Sequence, residues 1–310
     1  MNRDLYQKYI LCVHESDSLT QAAKKLGISQ PALSSGLNSA EKKLGFKLFN
    51  RKTTPPKLTK EGEIYLEYLK KEQQLEEDFQ KKIADSRQME GGKIVIGGPV
   101  AYVESIITRA VAEFHAIQPT CEILIKNEPV PELIKKLQSG EVDCFISTSE
   151  DLPVMCKKIF LKKEKICMCV PKDWEINSLL SGSDTGGRKA AEAFDCQALC
   201  GREFIFLEDN QPLQKEMISF FEQNQIVPQN YLRVNQVSAA LRLSCLGAGI
   251  SFVSEDSLVG NPQSEQVCVY SLPDSISKRN IYIVYNGERY LTNACQKLIE
   301  ILKKYAEGGC

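Results

Sequence analysis

Ser18-Leu-Thr-Gln-Ala-Ala-Lys-Lys-Leu-Gly-Ile-Ser-Gln-Pro-Ala-Leu-Ser-Ser-Gly-Leu-Asn-Ser-Ala-Glu-Lys-Lys-Leu-Gly45 contains two helix starts and two helix stops. Ser18 and Gln21 form a capping box that satisfies two orphan backbone donors, and Leu19, Ala22, Ala23 and Leu26 follow at helical spacing. Gly27 ends this helix because glycine tolerates the left-handed backbone. The next helix starts at Ser29 and accepts Pro31 in its first turn; Leu33, Leu37, Ala40 and Leu44 face inward until Gly45. Two short helices joined by Gly27-Ile28-Ser29 have the geometry that lays the second one in a DNA major groove, and the small Ala22-Ala23 pair permits a close crossing. Helix hairpins of this size also serve as plain structural units, so the hairpin alone leaves function open.

The spacing leaves Gln30, Ser34, Ser35 and Asn38 facing outward, with Lys42 and Lys43 beyond them. Gln and Asn can each make two hydrogen bonds to adenine, Ser can bond base edges or phosphate, and Lys serves phosphates. Upstream, Leu5, Tyr9 and Val13 make the apolar stripe of a helix from about Asp4 to His14, broken by Ser16-Asp17. Residues 1 to 63 carry eleven Lys/Arg against six Asp/Glu, leaving 28 against 34 for the remainder. A basic head on an acidic body points to a polyanion as the head's partner, although such an excess also occurs on solvated helices that bind nothing.

The string Leu44-Gly-Phe-Lys-Leu-Phe-Asn-Arg51, Lys52-Thr-Thr-Pro-Pro-Lys57, Leu58-Thr-Lys-Glu-Gly62 sharpens this. Together with Leu5, Tyr9 in the usual Phe place, Ser18, Ala22, Ala23, Leu26, Ser29, Gln30, Ser34, Leu37 and Glu41, it resembles the LysR-type family of transcription regulators over the whole head. The resemblance implies a winged helix-turn-helix that binds double-stranded DNA. It also implies a β-wing from Lys52 to Lys57, with Arg51 reaching the backbone or minor groove; proline fits a wing because it blocks edge pairing. The DNA-contacting set is Ser29, Gln30, Pro31, Ser34, Ser35, Asn38, Arg51, Lys52 and Lys57. This chain departs from the family at Ser35-Gly36, where Arg-Gln is common, and at Ala40, where Leu is usual. The loss of a bidentate Arg shifts base readout, and Gly36 costs its helix up to about 1 kcal/mol against Ala.

From Thr59 to about Met89 the chain is a run of helix formers whose apolar residues Tyr65, Tyr68, Leu69, Leu75, Phe79 and Ile83 make an imperfect seam. That pattern fits a solvated single helix, or the antiparallel dimerisation helix that the resemblance implies. Gly91-Gly92 breaks it. Lys93 to Gly97 then opens a strand-helix alternation of βαβαβ order, followed by a second set from Lys165 to Val253, a strand at Asn280 to Tyr285 and a helix at Thr292 to Tyr305. Gly140-Glu-Val-Asp-Cys-Phe-Ile146 and Gly247-Ala-Gly-Ile250 resemble the family's two-lobed, periplasmic-binding-protein-like α/β sensor. The expected organisation is a DNA-binding domain at 1–58, a dimerisation helix at 59–90 and an effector-binding domain at 91–310. Its first lobe spans 91–163 and 269–310, its second 164–268. Residues 181 to 190 read as an inserted surface loop.

The expected effector site lies between the lobes, at the carboxyl ends of the strands and the starts of the helices. Four segments converge there and supply Pro99, Val100 and Ala101; Ser147 and Thr148; Asn210 and Gln211; and Gln236 and Ser238. Free helix N-termini favour an anion, and the apolar Pro99-Val100-Ala101, where the family often has Ser or Thr, suits a monoanionic, partly apolar metabolite. Ser147 and Ser238 fit equally the plainer role of capping their own turns.

An enzyme is not expected. There is no Gly-x-Gly-x-x-Gly, no Walker loop, and a triad is not built from two histidines. No cofactor or metal is implied, since a structural zinc site wants four ligands in close pairs. The polar start and the lack of a long apolar run imply a cytoplasmic chain with no membrane partner, and thus reduced cysteines. Cys167 and Cys169 read as small buried hydrophobes. Two alternatives stand beside the effector-controlled regulator, expected as a homodimer or homotetramer: a thiol-based redox regulator using Cys196 and Cys200, and a solute-binding protein without regulatory DNA binding.

Overall fold

The computed structural model describes residues 3–50, 53, 55–87, 91–180, 189–190, 196–209, 211–258, 262–272 and 278–307. Its internal contacts divide the chain into two units, Met1–Arg87 and Gln88–Cys310. In the first, α1 (Arg3–His14), α2 (Leu19–Lys25) and α3 (Gln30–Leu44) enclose Ile10, Val13, Ala22, Ala23, Leu33 and Leu37, all excluded from solvent. The expected caps form: Ser18 Oγ accepts from Gln21 N (3.1 Å), and Ser29 Oγ accepts from Ala32 N (3.3 Å). The Gln21 side chain reaches back one residue further than a standard capping box, accepting from Asp17 N at 2.8 Å. Gly36 has a packing reason. A Cβ there would lie 2.5 Å from the Tyr9 ring, so the residue that weakens α3 admits an aromatic ring from α1.

β1 (Phe49–Asn50) pairs antiparallel with β2 (Lys57–Leu58), Phe49 opposite Leu58 and Asn50 opposite Lys57, at the base of the expected wing. Thr59 then caps α4 (Lys60–Ser86), its Oγ1 accepting from Gly62 N at 2.9 Å. The first turns of α4 bury Leu66 and Leu69, the latter in the head's core, whereas Ile64, Tyr68, Leu75 and Phe79 are exposed. Among the described residues no helix is long and apolar enough to cross a membrane.

In the second unit, β3 (Lys93–Gly98) lies between and parallel to β4 (Glu122–Asn127) and β5 (Cys144–Ser147). After β3, α5 (Val100–Tyr102), a π-helical turn at Val103–Ile107 and α6 (Thr108–Ile117) form one helical run; α7 (Val130–Ser139) follows β4. The long β6 (Cys156–Pro171) is the joint of the sheet. It is followed by the short α8 (Ile176–Leu179) and β7 (Lys189–Ala190), then β8 (Glu203–Leu207), α9 (Pro212–Gln223), β9 (Asn230–Val234), α10 (Val237–Cys245), β10 (Ile250–Ser254), β11 (Val267–Ser271), β12 (Lys278–Asn286) and α11 (Asn293–Glu307). The strand order is β4-β3-β5-β12-β6-β10-β8-β9. β6 pairs antiparallel with β12 as far as Lys165, and from Ile166 onward with β10, so one strand serves two half-sheets. Each half has its own core: Ile94, Ile96, Phe114, Ile146, Ile281 and Leu298 in one, Met168, Phe204, Met217, Phe220, Phe252 and Tyr270 in the other.

The sequence reading places the joint strand at Lys165; it begins at Cys156, because its first half is a ribbon with exposed Lys157, Lys158 and Phe160 rather than an apolar run. β9 and β11 are also missing from that reading. β9 is an edge strand with burial only at Val234, so it lacks the hydrophobic alternation on which such readings rest. Residues 181–188 of the expected surface loop lie outside the described residues, and Lys189–Ala190 pair with β11 as β7. Cys167 and Cys169 are buried between β10 and β11, as expected.

Candidate nucleic-acid interface and effector cleft

On α3, Gln30, Pro31, Ser35 and Asn38 are exposed and Ser34 is half-buried, directly above the buried Leu33, Gly36 and Leu37. Ser29 is exposed, its hydroxyl engaged as the helix cap. Lys57 stands exposed on β2, while Arg51 and Lys52 lie outside the described residues. The sequence reading names Glu41 only as a matching position; the structure supplies its role. Its buried carboxylate accepts from Leu48 N (2.9 Å) and Phe49 N (3.4 Å) through Oε1, and from Lys47 Nζ (2.9 Å) through Oε2. This ties the end of α3 to the first wing strand. Thr59 adds a second tie, donating to Lys47 O at 2.5 Å.

In the second unit, the helices that follow the parallel strands share a feature. α5, α7, α9 and α10 begin after Pro99, Pro129, Gln211 and Gln236, none of which makes a side-chain cap hydrogen bond. Each begins shortly after a strand's carboxyl end with no cap from the preceding side chain, and an uncapped helix N-terminus favours an anion. Gln211 instead donates its amide to Asn235 O (2.6 Å), and Asp209 pairs with Arg233, so the segments before α9 and α10 are held side by side. Asn210 lies outside the described residues. Pro99, Val100 and Ala101 are half-buried, Gln236 and Ser238 exposed. Ser147 is fully buried and its Oγ accepts from Ser149 N at 3.0 Å, the turn-capping role; Thr148 beside it is half-buried.

A cluster that the sequence reading does not contain occupies the joint between the half-sheets. Glu164 on β6 stands opposite Arg279 on β12, and Arg279 Nε donates to Glu164 Oε2. Tyr102, from the helical run after β3, donates its hydroxyl to the same oxygen at 3.0 Å. Glu216 approaches from α9, where burial raises its carboxyl above the ordinary 4.5 against the lowering influence of Arg279. Burial likewise pushes the Tyr102 phenol well above 10.0. Lys162 on β6 pairs with Asp256 at 2.6 Å nearby. Two buried oxygens, Glu164 Oε1 and Glu216 Oε2, have no hydrogen-bond partner among the described residues. No group of three or more His, Cys, Asp or Glu among these residues is arranged to hold a metal ion. Cys196 opens a short 3-10 turn that Cys200 follows, and Cys200 Sγ lies 3.5 Å from Gln197 Oε1.

Residues 87–307 match the family model described as LysR substrate binding domain, and residues 7–63 the model described as bacterial regulatory helix-turn-helix protein, lysR family. A probable RuBisCO transcriptional regulator of Trieres chinensis is 22% identical over 283 residues, spanning 89% of this chain and 88% of its own. The HTH-type transcriptional regulator YcgK of Bacillus subtilis is 24% identical, spanning 98% of this chain and 96% of its own. Among solved structures, full-length CbnR in complex with its target DNA superposes with a TM-score of 0.62 at 18% identity, covering 98% of this chain and all of that one. Full-length OxyR from Pseudomonas aeruginosa superposes at 0.63 with 16% identity, covering 98% and 97%.

Proposed function

This chain belongs to the LysR family of helix-turn-helix transcriptional regulators, and from that premise we propose how its parts divide the work. Residues 1–58 read DNA, 59–90 pair two chains, and 91–310 bind the effector. The observation that carries the DNA reading is the exposed row Gln30, Ser35 and Asn38 on a helix whose opposite side is fully buried and whose end Glu41 ties to the wing. Gln30, Ser34, Ser35 and Asn38 meet base edges, with Ser29 and Pro31 at the entry of the helix; Arg51, Lys52 and Lys57 meet phosphates. The exposed Ile64, Tyr68, Leu75 and Phe79 of α4 favour a paired helix over a solvated one, giving a homodimer that contacts between effector domains extend to a tetramer.

The effector binds between the half-sheets, with an anionic group at the uncapped helix N-termini and an apolar portion against Pro99, Val100 and Ala101. Its binding alters how the half-sheets meet at β6 and β12 and, through that, the spacing of the DNA-reading heads.

Fluorescence anisotropy of the full chain with duplex DNA, titrated with salt, tests the first part. Lys57→Ala should weaken binding to every sequence alike and reduce the salt slope by roughly one unit, whereas Gln30→Ala should change preference at particular bases. Salt-insensitive binding, or none, would defeat the assignment.

A further inference from the structure

Resting on the interlobe reading above, we propose that the effector is a zwitterion of the α-amino-acid class. Its carboxylate lies at the N-termini of α9 and α10, and its ammonium lies between the carboxylates of Glu164 and Glu216. The argument begins with hydrogen-bonding capacity. An ionised carboxylate offers about four lone-pair sites. Glu164 uses one oxygen for both Tyr102 and Arg279 and leaves the other buried and unbonded, although its side chain is only 1% exposed. Glu216 leaves a second buried oxygen in the same state.

Buried acceptors without donors are costly, and both of these are acceptors. What completes them must bring N–H or O–H groups. Charge points the same way: among the described residues Arg279 pairs with Glu164 and also acts on Glu216, while the nearby Lys162 is paired with Asp256. A purely anionic ligand would add a third negative charge beside them. An ammonium brings three donors and one positive charge.

The other end of the ligand is set by the helices. α9 and α10 are 12 and 9 residues long, and neither has a side-chain cap. Gln211 ties their starting segments together. Glu216 is four residues beyond Pro212, about 6 Å along the axis at ~1.5 Å per residue. An α-amino acid fits that spacing, because each of its two charged groups reaches a partner about 3 Å away. The half-buried Pro99, Val100 and Ala101 then favour an apolar side chain.

The test is thermal shift and calorimetry on the full-length chain with the proteinogenic amino acids, each compared with its 2-oxo acid and its decarboxylated amine. At least one apolar amino acid should raise Tm and bind about 10-fold or more tightly than both counterparts, as expected for a desolvated charged hydrogen bond. Glu216→Gln removes a buried charge and keeps the volume; it should abolish that preference for the amino group, and Glu164→Gln should do the same. If the 2-oxo acid binds as tightly as the amino acid, the zwitterion is wrong while the interlobe anion site stands. If Glu216→Gln leaves amino-acid affinity unchanged, the two carboxyls share a proton instead and the proposal fails. A stabilising probe unaffected by both Glu216→Gln and a bulky Ser238→Trp would place binding elsewhere and defeat the interlobe reading as well. No shift from any probe overturns the proposal outright.

Discussion

The two units treat the ends of their helices in opposite ways. In the head, α2, α3 and α4 are closed by Ser18, Ser29 and Thr59, whose hydroxyls accept from first-turn amides. In the second unit, the four helices that follow parallel strands are preceded by Pro or Gln, whose side chains make no cap hydrogen bond to those amides. Where the helix starts away from the strand ends, at α11, Thr292 Oγ1 does accept from Cys295 N (3.2 Å). The short α8, which follows the antiparallel β6, also starts without a side-chain cap, so uncapped starts are common in this unit and include every helix that follows a parallel strand among the described residues. A reading head needs a rigid surface and satisfies its own donors; a binding domain keeps donors for a ligand that arrives later.

The largest effect expected from breaking this contrast is at Glu41. Glu41→Ala would strand two buried backbone amides and cost the head about 3 kcal/mol. The single tryptophan, Trp174, lies in the second unit, so its fluorescence follows that unit while helical circular dichroism follows both. In urea, Glu41→Ala should produce an early dichroism transition that leaves the fluorescence midpoint in place. A joint shift of both signals would show that the units do not unfold separately.

Cap exchange is the next test in size. Ser29→Ala should cost the head about 1 kcal/mol. Gln236 already has the extended backbone of a cap residue, φ −135° and ψ 138°, so Gln236→Ser should do the reverse in the second unit. It should add up to about 1 kcal/mol to the free protein and weaken any anionic effector, because serine then occupies the helix end. Destabilisation by Gln236→Ser, measured by the Trp174 transition, would mean that this end is already satisfied.

The smallest expected effect is on pH dependence. Burial raises the Glu216 carboxyl above 4.5. In the window between 4.5 and its raised value the folded protein holds a proton that the unfolded chain has released, so this residue makes stability fall as pH rises. Glu216→Gln should remove that downward slope in the Trp174 transition. An unchanged slope would mean that Glu216 does not titrate across this window.

Much of the head was legible because its signals are local. Ser18, Gly27, Ser29 and Gly45 mark helix boundaries through backbone preferences that hold in a short peptide, and the inward rows of α2 and α3 follow from helical period. Gly36 was legible only as a cost; its reason, the Tyr9 ring, lies on another helix. In the second unit the alternation of strands and helices was readable, yet Glu164 lies just before the strand expected from Lys165 and among lysines that give no sign of burial.

What the amino-acid order determined by itself was the class of most elements, the punctuation between the helices of the head and the row of polar side chains along α3, since all of these depend on neighbours within a few residues. Tertiary structure alone decided that Ser147 would be buried in its own turn while Thr148 stayed nearer the surface, and that Glu164 would meet an arginine 115 positions away, with Tyr102 on the same oxygen and Glu216 close by. The reason is physical. Helical and strand period are short-range properties of the backbone, whereas removing a charge from water, and finding it a partner there, depends on which distant segments the finished sheet brings back to the same place.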